Sequence, residues 1–351
     1  MVKVLVKGNE AVGAAMIASG CKTYFAYPIT PQSEVPEYLS RELPKIGGTF
    51  VQAESEVAAI NMIYGAAGTG VRVATSSSSP GISLMQEGIS YIAGAELPCL
   101  IVNMMRGGPG LGSIQPSQTD YFQSTRGGGN GDYRLICLAP ASIQELVDLI
   151  HLGFDLADLY RNPAMIVADG LLGQMMEPVE FHDYEKRVLP PKDWAATGTK
   201  GERKPNIINS LYLSPDELED HNKHLIEKYR KITENEVRVE EIGLEDAELV
   251  MVAFGTTSRI CKSAMELLRE KGHKVGMIRP ITLWPFPYDS FKKINPECKA
   301  ILDVELNQGQ MIDDVRLGIE GRVPVHFYGR QGGMIPTTEE IVEAALRVLE
   351  G

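Results

Sequence analysis

The chain has 351 residues and carries 34 Lys and Arg against 46 Asp and Glu, a formal charge of −12. That excess of negative charge opposes non-specific nucleic-acid binding. With 44% hydrophobic and 23% charged residues the composition is globular rather than disordered or fibrous, and the length suggests two domains. Lys3, Lys7 and Glu10 interrupt any secretory core near the start. No apolar run reaches the roughly 18 residues that a bilayer span needs, so a cytoplasmic protein outside the membrane is expected. Cys21, Cys99, Cys137, Cys261 and Cys298 lie too far apart to form a C-x-x-C pair for zinc, an iron–sulfur cluster or a redox dithiol.

In chain order, apolar β-branched runs alternate with helical patterns. Strands are predicted at 2–6, 22–26, 49–52, 71–75 and 98–104, with helices at 11–19, 33–43, 56–67 and 81–95 between them. A glycine-rich stretch over 107–133 reads as a mobile loop and is followed by a strand at 135–138, a helix at 143–159 and a strand at 164–168. This rhythm predicts an α/β fold with a mostly parallel sheet covered by helices. From 180 to about 248 the chain turns to dense mixed charge with four prolines, and a charged helix at 215–237 reads as a solvated linker helix. A second α/β unit follows, with strands at 249–254, 274–278, 300–305 and 323–328 and helices at 258–271 and 338–349, Gly255 and Gly272 ending their elements. The expected division is therefore 1–185 for the first domain, 186–246 for the linker and 247–351 for the second.

Three motifs fall at the carboxyl ends of predicted strands, where open α/β sheets bind ligands. Tyr27-Pro28-Ile29-Thr30-Pro31 is stiffened by two prolines, and Pro31 biases Thr30 away from helical angles. This leaves the Thr30 hydroxyl as a fixed donor for a small anion, or the segment as a plain strand-to-helix turn. Gln52-Ala53-Glu54-Ser55-Glu56 opens an almost uncharged helix; from Val57 to Met105 only Arg72, Glu87 and Glu96 carry charge. A carboxylate entering such surroundings is costly unless protonated or paired, which suits acid or base chemistry, although either glutamate also fits a first helical turn. Arg106 is the sole charge after the apolar run 100–105 and precedes Gly107-Gly108-Pro109-Gly110. It could hold a carboxylate in a bidentate fork or make a structural salt bridge. Ser78 and Ser79 read as a helix cap with a possible place in a pocket. Asp169-Gly170 resembles the start of a metal–diphosphate motif, but the asparagines that complete it are missing.

Read together, these blocks resemble the large, thiamine-pyrimidine-binding subunit of the 2-oxoacid:ferredoxin oxidoreductases, and most closely the branched-chain, 2-oxoisovalerate type. The likeness rests on KGNEAVGAAMIASGC, YPITPQSE, QAESEVAAINMIYGAAGTG, TSSSSPGISLMQEGISYIAGAELP, NMMRGGPGLG, LREKGHKVGMIRPITLWPFP and DVELNQGQMIDDVRLGIEG. It implies a thiamine-pyrimidine domain followed by a transketolase C-terminal-like domain. By this resemblance Glu56 would hydrogen-bond the pyrimidine of thiamine diphosphate, Tyr27, Pro28 and Ile29 would flank the ring, and Thr30 and Arg106 would bind the substrate carboxylate. It also implies coenzyme A as co-substrate and ferredoxin as electron acceptor. Three partner chains are implied: a thiamine diphosphate and Mg2+-binding subunit, a gamma-type subunit and a ferredoxin-like subunit with iron–sulfur clusters. The alternatives are a 2-oxoglutarate or other 2-oxoacid enzyme of the same kind, the β-type subunit of a lipoamide-linked dehydrogenase, and a non-catalytic assembly subunit. The YPITP and MRGGPG blocks speak against the lipoamide-linked type.

Overall fold

The computed structural model describes residues 3–182, 184 and 187–350. Its spine is three parallel strands in which every residue is buried: β4 (Val73–Ser77), β5 (Leu100–Met105) and β7 (Ala164–Asp169). Near-continuous apolar strands of this kind need helices on both faces. One face is covered by α3 (Glu56–Gly68) and α4 (Ser79–Gly94), and the other by α1 (Gly8–Ala18), α2 (Glu34–Glu42) and α6 (Ile143–Tyr160). With β2 (Thr23–Ala26), β3 (Thr49–Gln52), β6 (Ile136–Leu138) and β12 (Thr282–Trp284), the spine forms a seven-stranded sheet of order β12-β6-β7-β5-β4-β2-β3.

The second unit holds β9 (Val239–Ile242), β10 (Leu249–Val252), β11 (Val275–Pro280), β13 (Ala300–Glu305) and β14 (Val325–Gly329) in the order β14-β13-β10-β11-β9. α9 (Gly255–Glu270) and α11 (Thr338–Glu350) pack on one face, and α10 (Ile312–Ile319) follows β13. All pairs are parallel except β9 with β11. Two mostly parallel sheets, as expected, form the body of the chain. No described helix is long and apolar enough to cross a membrane.

Several elements depart from the sequence reading. The first strand, β1 (Val4–Lys7), stays out of the large sheet and pairs antiparallel with β8 (Met176–Val179). β4 ends two residues later than predicted, so Ser76 and Ser77 lie inside the strand. The glycine-rich stretch contains a helix, α5 (Tyr121–Arg126), seated against the second unit. Gly255 does not end its element; at φ +56° it opens α9, and a non-glycine residue would be strained there. The charged helix α8 (Pro215–Asn235) is solvated on one side only. Its Leu225, Tyr229 and Ile232 are buried in the core of the first unit, and Lys228 donates to Glu96 Oε1 at 3.2 Å and to the Arg161 carbonyl at 3.2 Å. β9 lies in the segment read as linker, yet it belongs to the second sheet. β12 leaves the second unit altogether and closes the edge of the first sheet against β6. Periodicity missed it because three residues are too few to show a period.

Candidate active site

The chain leaves β2 for β3 on one side of the sheet and leaves β4 for β5 on the other, so the strand order reverses between β2 and β4. Loops at the carboxyl ends of strands on either side of such a reversal diverge and open a crevice. Tyr27–Thr30 leaves β2, Ser78 and Ser79 leave β4, Glu56 follows β3 and Arg106 follows β5, so all the expected site residues follow the carboxyl ends of four neighbouring strands around the reversal. Tyr27, Pro28 and Thr30 are exposed and Ile29 is half-buried.

Glu56 is the first residue of α3, fixed there because Ser55 caps the helix by accepting from Ala58 N at 3.2 Å. Its side chain is only 6% exposed and makes no hydrogen bond to any described residue. It lies against the start of α4, where glycine is required. A Cβ on Gly81 would come within 2.6 Å of Glu56 Oε1 and 2.1 Å of Ser77 Oγ. Glu54, by contrast, is exposed and bound by Ser55 Oγ at 3.0 Å.

Arg106 is 8% exposed and ties the two flanking loops together. Its Nη1 donates to the Thr30 carbonyl at 2.9 Å and its Nη2 to the Leu111 carbonyl at 3.2 Å. A guanidinium has five N–H donors, so three remain, and the buried Nε is among them without a partner. Arg106 and Thr30 are thus brought together, but through the Thr30 main chain. The Thr30 loop is fixed further by its neighbour Pro31, whose carbonyl accepts from Asn9 Nδ2 at 2.7 Å and from Gln174 Nε2 at 2.9 Å.

The serines divide. Ser78 occupies the cap position of α4 without a side-chain hydrogen bond, and the buried hydroxyls of Ser77 and Ser78 have no partner. Ser79 Oγ donates to Asp120 Oδ2 at 2.5 Å and accepts from Arg106 N at 3.0 Å. Asp169, fully buried, caps α7 (Gly170–Gln174) by accepting from Leu171 N and Leu172 N at 3.0 and 3.2 Å, and it also accepts from Thr256 Oγ1 of the second unit. Its carboxylate is used up structurally, and burial pushes it above the ordinary carboxylate range. No group of three potential metal ligands occurs among the described residues. The residue that sequence reasoning missed is Asp120. It sits in the glycine-rich stretch, whose lack of periodicity hides a buried position.

The profile described as pyruvate flavodoxin/ferredoxin oxidoreductase, thiamine diP-bdg, matches residues 14–242, and that of pyruvate:ferredoxin oxidoreductase core domain II matches 247–341. The chain belongs to this oxidoreductase family. It is 49% identical to the ketoisovalerate oxidoreductase subunit VorB of Methanothermobacter thermautotrophicus over 98% of this chain and 97% of that one. It is 36% identical to the 2-oxoglutarate synthase subunit KorA of Methanocaldococcus jannaschii over 97% and 98%. Among solved structures, it superposes on the 2-oxoglutarate:ferredoxin oxidoreductase of Magnetococcus marinus, bound to 2-oxoglutarate, coenzyme A and succinyl-CoA, with TM-score 0.89 and 28% identity. That match covers 99% of this chain and 65% of the solved one. A split-gene transketolase, 13% identical with TM-score 0.60, shares the fold over 98% of both chains. The strands β2 and β4 and the loops that leave them lie within residues 14–242, which the thiamine diP-bdg profile matches.

Proposed function

We propose that the chain is the pyrimidine-side subunit of a thiamine diphosphate-dependent 2-oxoacid:ferredoxin oxidoreductase acting on branched-chain 2-oxoacids, with coenzyme A as acyl acceptor. The observation that carries the reading is Glu56, a residue only 6% exposed whose carboxyl makes no hydrogen bond to a described residue and is not sealed from solvent. A carboxyl in so closed a position, with no partner in its own chain yet still reachable from outside it, fits a ring nitrogen supplied from outside the chain. Glu56 would share a proton with the pyrimidine nitrogen, and Tyr27, Pro28 and Ile29 would line the ring's edges. When bound, the cofactor supplies the carbon nucleophile and the electron sink for loss of carbon dioxide. Arg106 would hold the substrate carboxylate through its remaining donors, with the Thr30 hydroxyl beside it.

The sequence offers no C-x-x-C pair and no complete diphosphate–metal motif. The reading therefore places the diphosphate and Mg2+ on one partner subunit and the clusters on a ferredoxin-like one, with a gamma-type subunit completing the complex and ferredoxin taking the electrons. Val51, Val57, Met62, Leu84 and Tyr91 leave apolar area exposed around α3 and α4, and this face would meet a partner. The branched-chain substrate rests on the 49% identity to ketoisovalerate oxidoreductase subunits against 36% to the 2-oxoglutarate synthase subunit.

The test is purification of the native complex, with its thiamine content, optical spectrum and a panel of 2-oxoacids. The expected result is bound thiamine diphosphate, iron–sulfur absorbance and CoA-dependent ferredoxin reduction fastest with 2-oxoisovalerate. A complex free of thiamine would overturn the reading, and one fastest with 2-oxoglutarate would overturn its substrate.

A further inference from the structure

One short segment carries the second unit to the substrate edge of the first. Gln118 is bound from five directions. Its N donates to the Leu306 carbonyl at 3.0 Å and its Nε2 to the Phe254 carbonyl at 2.8 Å. Its Oε1 accepts from Thr257 Oγ1 at 2.9 Å and Leu306 N at 3.1 Å, and its carbonyl accepts from Asn307 Nδ2 at 2.8 Å. Gln310 brackets the next turn, donating to the Thr119 carbonyl at 2.7 Å and accepting from Phe122 N at 2.9 Å. Asp120 stands between these clamped positions, 7% exposed.

Asp120 Oδ2 accepts from Asn103 Nδ2 at 2.9 Å and from Ser79 Oγ at 2.5 Å. A serine hydroxyl has one hydrogen, and the contact to Asp120 is shorter than the 3.2 Å to the Arg106 carbonyl. Toward Arg106, then, Ser79 is an acceptor, and the links run from Arg106 N–H to Ser79 Oγ and from its O–H to Asp120. Burial pushes the Asp120 carboxyl up while the Ser79 and Asn103 hydrogen bonds hold it down. Among the described residues lining the cleft of about 510 Å3 between the two units, it carries the only charge.

We infer that Asp120 is a positioning residue for Arg106. Clamped by the second domain and acting through Ser79, it fixes the main chain from which the guanidinium meets the 2-oxoacid carboxylate. Arg106 spans two loops through single bonds to Thr30 and Leu111, so a shift of its main chain moves all three free donors at once. Misplacement by about 1 Å costs on the order of 10²-fold in comparable sites. The inference rests on the reading of Arg106 as the carboxylate clamp, and it gives the second domain a part in substrate binding.

The experiment compares Asp120→Ala, Asp120→Asn, Ser79→Ala and the Asp120→Ala/Ser79→Ala pair in the reconstituted complex, with Arg106→Lys as reference. Asp120→Ala is expected to raise the KM of every 2-oxoacid roughly 10-fold or more, with the KM of CoA and the thiamine content unchanged. Asp120→Asn keeps an acceptor for Ser79 and should restore most of the loss. The double variant should be no worse than the worse single one, because both cut the same path. If Asp120→Ala does not assemble, Ser79→Ala carries the same test with the Asn103 contact intact. Multiplying losses, or a fall in kcat and thiamine content without a change in KM, would overturn the inference. An unchanged KM in Arg106→Lys would remove the clamp reading and the inference with it. A raised KM there beside an unchanged one in Asp120→Ala would keep the clamp and remove the link.

Discussion

Arg106 and Asp169 occupy nearly equivalent places, at the carboxyl ends of the paired strands β5 and β7, where Met105 lies opposite Asp169. In sequence both follow apolar runs, Arg106 read as a holder of a carboxylate and Asp169 as the start of an incomplete metal–diphosphate motif. The structure separates them by what is left over. Every strong contact the Asp169 carboxylate needs comes from Leu171, Leu172 and Thr256, whereas Arg106 keeps three donors free. A saturated charge holds structure; a charge with spare capacity at a crevice is poised for a ligand. The same contrast divides Glu305 from Asp303 on β13. Glu305 accepts from Gln310 N, Met311 N, Ile312 N and Asn307 Nδ2, while neither oxygen of Asp303 has a partner. Asp303 is wholly buried within the second sheet beside Glu305, and burial pushes its carboxyl well above the ordinary carboxylate range.

The sharpest way to break this division is at Glu56. Glu56→Gln should leave the complex assembled and slow turnover roughly 10²–10⁴-fold, as loss of a positioned acid or base does, measured by ferredoxin reduction. Arg106→Lys comes next. It keeps the charge but loses the planar fork, and kcat/KM should fall roughly 10–150-fold, the worth of a charge-assisted hydrogen bond. Branched, acidic and aromatic 2-oxoacids should fall by similar factors; a reordered panel would show that Arg106 reads the side chain instead.

Asp169→Ala should behave in the opposite manner. It removes a helix cap and strands buried donors, costing about 1–3 kcal/mol of stability, read as a lower thermal midpoint. The KM of the 2-oxoacid should stay within about two-fold, and added Mg2+ should not restore the midpoint.

Asp303 provides a pH test. Burial, and next the nearby Glu305, push its carboxyl well above the ordinary range. The unfolded chain loses this proton near pH 3.9, and the folded chain loses it at a higher pH. The wild type therefore loses stability as pH rises from there toward the folded value, by up to about 1.4 kcal/mol per unit. Asp303→Asn removes that slope, so its thermal midpoint relative to wild type should climb as the pH rises above about 4. A constant difference would show that Asp303 is ionised in the fold. The smallest effect belongs to Glu54→Gln, which should change turnover less than about two-fold, because an exposed charge next to a helix start contributes little.

The alternation of apolar strands and helices made both sheets and the strand-end placement of Tyr27–Thr30, Glu56 and Arg106 legible in sequence. Such positions advertise themselves because a charge or proline interrupts an apolar pattern. What stayed hidden depends on pairing across distance. β12 is three residues long and finds its partner, β6, in the other unit. The buried side of α8 was masked by the charges of its exposed side. Asp120 and Gln118 gain meaning only from Ser79 and Asn307, remote in sequence. The Arg106–Thr30 contact was expected, but its route through a main-chain carbonyl was not, since side-chain chemistry is silent about the backbone.

The central claim is that Glu56 handles a proton at the cofactor's pyrimidine. The most direct measurement is the rate at which the C2 hydrogen of thiamine diphosphate exchanges with deuterated water in the reconstituted complex, followed by quench and NMR. With Glu56→Gln the exchange should slow roughly 10²–10⁴-fold at unchanged thiamine content, while Glu54→Gln matches wild type. Equal exchange in wild type and Glu56→Gln, with the cofactor fully bound in both, would contradict the account.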